Sequence, residues 1–197
     1  MTKWLSHRMV ERGIIKEEEQ ELYQFGIRNG MILLLNVVTA LVIGLLTEQL
    51  AVVAVFTLSF MVLRSYTGGY HSDGRIFCYL GSNLVLLVPV YTQAVFYKTS
   101  LAWLLAVLLV SAGIIFLLSP MHSKNRKLDK EEQKHFGRKA RLIAALELAV
   151  LGILWHAGQI PYAYAVYTGI CITALFMLVG KAQLWIQSHT EKHTENG

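Results

Sequence analysis

Long, nearly uncharged apolar blocks constrain this sequence more than any other feature. With 54% hydrophobic and 16% charged residues, the chain lacks the polar surface that a soluble domain of this size needs. A helix needs about 20 apolar residues to span a bilayer, and backbone groups in lipid must be satisfied within the segment. The sequence therefore predicts an all-α, polytopic integral membrane protein with about six transmembrane helices. The blocks are Met31–Leu46, Leu50–Leu63, Leu80–Tyr97, Leu101–Ser119, Leu142–Ala157 and Tyr162–Gly180.

The Lys and Arg residues predict the orientation of these spans. With six spans and the N-terminus inside, all of the 18 basic residues except Lys98 lie on the inner side. Because cytoplasmic loops carry the excess of Lys and Arg, we expect both termini in the cytoplasm. The net charge of +5 then reflects this bias and an attraction to anionic headgroups. Membrane lipid is therefore an expected partner, and nucleic acid is not.

Residues 1–28 are polar and charged, and they form a separate segment ahead of the membrane domain. Apolar residues between positions 3 and 25 fall on one arc at about 100° per residue, which predicts an amphipathic helix on the cytoplasmic membrane surface. Glu11 and Glu18 interrupt that arc, so an ordinary solvated helix is the alternative. The rest of the chain divides into a membrane domain over 29–180 and a cytoplasmic tail over 181–197.

The segment 64–78, between the second and third blocks, carries the residues suited to chemistry. His71 and Cys78 lie seven positions apart, which on a continuous helix separates them by about 10 Å along the axis. Three glycines in the segment favour a loop, which allows His71 to fold back onto Cys78. Cys78 lies near the start of the third span, where unpaired N–H groups and the helix dipole favour a thiolate. The pair thus has the minimal form of a nucleophile activated by a base.

Simpler interpretations of this pair remain open from the residues alone. A cysteine near the end of a membrane helix is usually a small packing residue or a palmitoylation site, and a histidine in a loop is usually solvated. We expect no cofactor or metal, because two thiols cannot form a zinc cage.

The run of residues around this pair resembles the signature of the accessory gene regulator protein B (AgrB) family. Members of that family are bacterial membrane cysteine endopeptidases that process the precursor of a cyclic autoinducing peptide for quorum sensing. The resemblance implies that His71 and Cys78 are the catalytic pair and that Arg64 and Gly69 support the site. It is carried by Arg64 together with the run Gly68-Gly69-Tyr70-His71 and, after six further residues, Cys78.

The resemblance also implies a mechanism and a setting. The Cys78 thiolate attacks the precursor, the C-terminal part leaves, and an acyl-enzyme thioester goes on to form a cyclic thiolactone or lactone. The expected location is the bacterial cytoplasmic membrane, crossed several times. The expected substrate is an AgrD-like pro-peptide with an acidic C-terminal region. A second copy of the chain, forming a homodimer, is a further candidate partner.

A basic cytoplasmic loop over 120–141 is the other functional candidate. Its Pro120, Arg126 and Lys127 match a Pro-(five residues)-Arg-Lys pattern of the same family. We expect Lys124, Arg126 and Lys127 to help bind the acidic region of the precursor. Topology determination and contact with lipid are the alternative role of these charges.

A different class of function, a small membrane transporter or channel, remains as the alternative. It predicts polar or charged residues at mid-membrane in several spans, for which Asn36 and Glu147 are the main candidates. Glu147, inside the fifth block, is expected either to pair with a basic residue of the inner loop or to lie near the headgroups. Pro89 is expected to kink the third span.

Overall fold

The computed structural model of the chain describes residues 2–67, 75–121 and 130–195, including stretches such as 75–80, 130–132 and 187–195 where it describes only the backbone. Within these ranges the regular structure is entirely helical, which confirms the all-α prediction. The elements are α1 (Thr2–Glu11), a 3₁₀ helix (Glu17–Glu19), α2 (Gln20–Leu46), α3 (Leu50–Thr67), α4 (Arg75–Tyr91), α5 (Gln93–Lys98), α6 (Leu101–Leu118), α7 (Lys130–His156) and α8 (Ile160–Glu195).

Four helical segments of the described chain are long and apolar enough to cross a membrane: Glu17–Leu46, Leu50–Thr67, Leu101–Leu118 and Ile160–Ile186. The two other predicted blocks are also helical, in α4 with α5 and in α7. The described chain is therefore all-helical and contains four helices suited to a membrane. The number of six spans and their orientation stay predictions.

The third predicted block is divided into two helices. α4 ends at Tyr91 and α5 begins at Gln93, four residues beyond Pro89, which lies inside α4. Proline has no N–H and crowds the preceding turn, so the kink expected at Pro89 becomes a break between α4 and α5.

The chain divides into two compact units, and the first is Met1–Thr39. Here α1 ends in a turn in which Ile14 N–H donates to the Met9 carbonyl at 2.9 Å and Gly13 takes a φ of +67°. This is the glycine-terminated end that commonly closes a helix. It interrupts the single helix expected over positions 3–25. Trp4 and Leu22 are exposed, and their placement on a membrane surface stays a prediction.

The second unit, Ala40–Gly197, contains two tight helix connections. Thr47–Gln49 joins α2 to α3, and Ala157–Gln159 joins α7 to α8. In each, an N–H donates to the carbonyl five residues earlier at 2.9 Å, and the residue before it, Glu48 or Gly158, has a positive φ. The α7–α8 connection places these two helices side by side and antiparallel.

Helix α8 lies at the centre of the second unit and packs against α3, α4, α5, α6 and α7. Small residues on α8, such as Ala163, Ala165 and Ala174, are almost completely buried. They allow close approach of neighbouring helices, as is typical of helix packing in membranes. Leu63 of α3, Ile115 of α6 and Ala144 of α7 join α8 in one apolar cluster, close in sequence to the segments predicted to carry function.

Half of the segment predicted as a basic loop is helical. α7 begins at Lys130, so positions 130–141 form its first turns. Gly137, Ala140 and Ala144 recur at helical spacing and are buried against the bundle. This periodic burial explains the helix, which the density of charge obscured in the sequence.

Candidate functional site

Helix α3 leads directly into the predicted catalytic segment. Arg64 lies in its last turn, and the guanidinium carbon is 4.9 Å from the centre of the Phe176 ring on α8. A cation over an aromatic face at this distance is attracted by the ring's electrons. Arg64 is half-buried, so it is held at the end of the bundle and does not extend freely into solvent.

Thr67, the last residue of α3, ties the catalytic segment to the basic segment. It is completely buried, and its carbonyl accepts a hydrogen bond from the Met121 N–H at 2.9 Å. Met121 follows α6 and packs against the apolar cluster formed by α3, α6, α7 and α8. The segments that begin after Thr67 and after Met121 therefore start from adjacent points.

Helix α7 packs at Gly137 against the residues that follow α6. A Cβ atom added to Gly137 would lie 2.9 Å from the Pro120 Cδ and 3.5 Å from the Ser119 carbonyl oxygen. The first of these distances is shorter than a normal contact between carbon atoms, so only glycine fits at position 137. The first turns of α7 thus cross directly beside the end of α6, near the Thr67–Met121 hydrogen bond.

Cys78 lies on α4, whose described range is Arg75–Tyr91. The placement of Cys78 at the start of the third span stays a prediction. Its side chain lies outside the described part of the structure, as do His71 and Gly69.

The lower end of α4 is fixed by a buried tyrosine. The hydroxyl of Tyr164 on α8 donates to the Pro89 carbonyl at 3.0 Å and lies 2.6 Å from the Thr92 hydroxyl. Tyr164 is 2% exposed. The helix that carries Cys78 is therefore bonded to the central helix where α4 breaks into α5, and nothing in the sequence marked this contact.

The basic residues of α7 form an exposed surface. Lys134, Arg138 and Arg141 are exposed and share one face of the helix at four- and three-residue spacing. Neither they nor Lys139 form an ion pair within the described residues. Lys124, Arg126 and Lys127, the residues singled out from the sequence, lie outside the described residues.

Glu147 pairs with a serine and not with a basic residue of the inner loop in the described structure. One of its carboxylate oxygens accepts a hydrogen bond from the hydroxyl of Ser59 on α3, and no basic residue pairs with it in the described structure. Ser59 is 5% exposed. A hydrogen bond therefore joins the side chains of α3 and α7 inside the helix bundle. Its partner on α3, Ser59, precedes Arg64 by five residues.

A comparison with known protein families decides the relationship of this chain. The family described as accessory gene regulator B matches residues 1–178. The chain belongs to the accessory gene regulator B (AgrB) family. The family resemblance seen in the motif around His71 and Cys78 is thereby confirmed.

Individual AgrB-family relatives are distant in sequence. A protein of Staphylococcus intermedius named accessory gene regulator protein B is 26% identical over 77% of this chain and 80% of its own length. A putative AgrB-like protein of Clostridium perfringens strain SM101 is 22% identical over 72% of this chain and 69% of its own length. No solved structure matches the chain.

Two of the residues predicted from the sequence of this AgrB-family chain can be placed in the described structure. Arg64 and the backbone of Cys78 lie at the ends of α3 and α4 that border segment 68–74. The structure adds Thr67, Met121 and Gly137, which join that border to the basic segment. These three were missed because a threonine, a methionine and a glycine carry no chemical signal of their own.

Proposed function

We propose that this AgrB-family chain is a cysteine endopeptidase of the bacterial cytoplasmic membrane. It would cleave an AgrD-like pro-peptide of quorum sensing and prepare its N-terminal part for cyclisation. The observation that carries the proposal is the run Gly69-Tyr70-His71 followed by Cys78, which lies on α4, in a chain that matches the family over residues 1–178.

The first half of the reaction makes a thioester. The His71 imidazole takes the proton of the Cys78 thiol, and the thiolate adds to the carbonyl carbon at the cleavage site. The tetrahedral intermediate collapses, the C–N bond breaks, and His71 returns the proton to the departing amine. The C-terminal part of the precursor leaves, and the N-terminal part remains bonded to the Cys78 sulfur.

In the second half of the reaction, the acyl group moves from the Cys78 sulfur to a group of the bound peptide itself. A thiol or hydroxyl of the bound peptide attacks the thioester carbonyl, closes a thiolactone or lactone ring, and releases Cys78 as a thiol. Hydrolysis competes with this step, so the site must exclude water. A site at the edge of the bilayer suits that requirement, and backbone N–H groups near Cys78 would bind the oxyanion.

Arg64, Gly69 and the basic segment would hold the precursor. Arg64 is fixed above Phe176, where its guanidinium can bind carbonyl or carboxylate oxygens of the peptide. Lys124, Arg126 and Lys127 would attract the acidic C-terminal region, and the exposed cations of α7 would extend the same surface. Because the segments after Thr67 and Met121 start from adjacent points, one peptide can reach both.

The proposal includes a topology of six spans with both termini in the cytoplasm. It places 64–78 and the basic segment 120–141 on the inner side, where a newly synthesised precursor is available. The amphipathic first 28 residues would lie on the same membrane surface. The positive-inside distribution of charge supports this arrangement.

The test is cleavage of the precursor by purified protein in lipid vesicles. Cys78→Ala and Cys78→Ser should abolish cleavage, because neither side chain supplies a thiolate. Cys171→Ala is the matched control, since Cys171 is the other cysteine of the sequence and lies on α8 away from the α4 N-terminus. It should cleave at close to the wild-type rate. Cleavage by Cys78→Ala at the wild-type rate would remove the thiol from the mechanism.

A further inference from the structure

The hydrogen bond between Ser59 and Glu147 belongs to a polar contact that joins three helices. Ser59 lies on α3, Glu147 on α7, and Ser59 also packs against Gly169 on α8. A Cβ atom on Gly169 would come within 2.5 Å of the Ser59 Oγ and 3.1 Å of the Ser59 Cβ. We call Ser59, Glu147 and Gly169 the three-helix contact.

The α8 side of this contact includes a buried threonine. Thr173 is completely buried, and its hydroxyl donates to the Gly169 carbonyl at 2.8 Å. The Gly169 carbonyl thus accepts a hydrogen bond from the Thr173 hydroxyl. The Ser59 hydroxyl beside it donates to Glu147 instead. Polar groups inside a helix bundle in lipid need a partner, since water cannot satisfy them.

The three-helix contact lies just below the candidate site. Ser59 precedes Arg64 by five residues and Thr67 by eight, which places it about 8 Å and 12 Å below them along the helix axis. Arg64 contacts Phe176 of α8, seven residues beyond Gly169 on the same helix. The same pair of helices thus carries the contact and, one to two turns higher, the end of α3 that borders the catalytic segment.

Lipid is as apolar as the side chains, so the association of helices in a membrane depends on close packing and on hydrogen bonds between them. A directed hydrogen bond and a glycine-sized gap specify one register. The Ser59–Glu147 bond fixes the register of α3 on α7, and the close approach at Gly169 fixes it on α8. Both registers determine where Arg64 and Thr67 lie.

We propose that Ser59 and Glu147 are positioning residues for the peptidase site. Their hydrogen bond sets the height and rotation of α3, and through α3 the position of Arg64 and of the segment that contains His71. The inference rests on the proposed peptidase function, and it assigns Glu147 no contact with the substrate. It also gives the acidic residue of the fifth block a role distinct from ion transport.

The test compares variants of the contact with a matched variant elsewhere on α3. Ser59→Ala and Glu147→Leu remove the bond, and Glu147→Gln keeps an oxygen that can accept it. Thr57→Val is the control, because the Thr57 hydroxyl bonds only to the Val53 carbonyl of its own helix at 2.6 Å. Each protein is purified, reconstituted in lipid vesicles, and assayed for kcat and KM on the precursor.

A displacement of about 1 Å in a catalytic group can lower the rate on the order of a hundredfold. We expect Ser59→Ala and Glu147→Leu to lower kcat by roughly ten- to a hundredfold on this basis, while Glu147→Gln and Thr57→Val stay within about twofold. The Ser59→Ala, Glu147→Leu double variant should be no worse than the worse single variant, because both remove the same bond. Ser59→Ala removes one oxygen only, and so tests the bond even where leucine at 147 prevents folding.

A second measurement separates positioning from a purely structural role. In a Cys171→Ala background, the rate of Cys78 alkylation against pH reports how readily the thiol ionises. Displacing the segment that holds His71 should move the midpoint of this profile to higher pH in Ser59→Ala but not in Thr57→Val. A loss of stability alone would leave the midpoint unchanged.

Two results overturn the inference without touching the peptidase proposal. One is a wild-type kcat in both Ser59→Ala and Glu147→Leu; the other is a loss of kcat that is fully additive in the double variant. In either case Cys78→Ala must remain inactive. Cleavage that survives Cys78→Ala overturns the peptidase function itself, and the positioning inference with it.

Discussion

Replacing Gly169 by alanine tests the packing of α3 against α8 most sharply. The added Cβ would lie 2.5 Å from the Ser59 Oγ and 3.1 Å from the Ser59 Cβ, whereas carbon atoms in contact are normally about 3.5–4.0 Å apart. The helices must separate, or Ser59 must rotate and give up its hydrogen bond to Glu147. Inserting a methyl group into a packed contact of this kind destabilises a protein by about 1–3 kcal/mol.

Gly113→Ala is the matched control for this change. Gly113 lies inside α6, and a Cβ there would meet nothing within 4 Å. Both substitutions gain the same helix propensity, up to about 1 kcal/mol, so the difference between them isolates the clash. We expect Gly169→Ala to be about 1–3 kcal/mol less stable than Gly113→Ala.

The assay is reversible unfolding of the purified protein in mixed micelles with increasing sodium dodecyl sulfate, followed by helical circular dichroism. Adding Ser59→Ala to Gly169→Ala removes the shorter of the two contacts, so the double variant should recover part of the lost stability. Equal stability of Gly169→Ala and Gly113→Ala would show that α3 and α8 do not pack as described, and the three-helix contact would lose its basis.

Three further predictions concern the break of α4, the membrane topology and the basic segment. Tyr164→Phe removes the hydroxyl that bonds the Pro89 carbonyl, and it should speed amide exchange near the break of α4 without unfolding the bundle; unchanged exchange would mean that the tyrosine packs only as a ring. In a cysteine-free background, single cysteines over 120–141 should react with impermeant reagents only from the cytoplasmic side, and labelling from outside intact cells would contradict the six-span topology. Lys124→Glu with Lys127→Glu should raise KM for the precursor more than it lowers kcat, and this effect should weaken as salt rises. A basic substitution in the acidic tail of the precursor should then restore part of the binding. The absence of any such restoration would argue against a direct contact.

Hydropathy alone was sufficient to find the helices. Apolar blocks as long as Leu101–Ser119 must be helical in lipid, and the structure has a helix in each block. The helix boundaries were harder to predict, because they depend on local turns. Gly13 interrupts the N-terminal helix, and Lys130 begins α7 inside a segment so rich in charge that it suggested a loop.

The chemical residues of the site were recognisable, but the contacts that join them were not. His71 and Cys78 are predicted to be a reactive pair, and they form a short motif that a single sequence displays directly. Ser59 and Glu147 are 88 positions apart, and a serine in an apolar block is usually bonded to its own helix. Only the tertiary packing shows that Ser59 instead serves Glu147.

The adjacency of the two functional segments has the same origin. Thr67 and Met121 are joined by a backbone hydrogen bond, and backbone groups are the same at every position of the sequence. Gly137 similarly shows its importance only when Pro120 is found against it. Sequence patterns therefore predicted candidates for the chemistry, and the fold supplied the contacts between the helices that border them.

The central claim, that Cys78 carries the peptide as a thioester, is tested most directly by intact mass spectrometry. The purified protein in lipid vesicles is mixed with the precursor, quenched in acid, and weighed. We expect an added mass equal to the N-terminal part of the precursor, removed by hydroxylamine and absent from Cys78→Ala. Cleavage that proceeds with no such adduct at any time point, or an adduct that persists in Cys78→Ala, would contradict it.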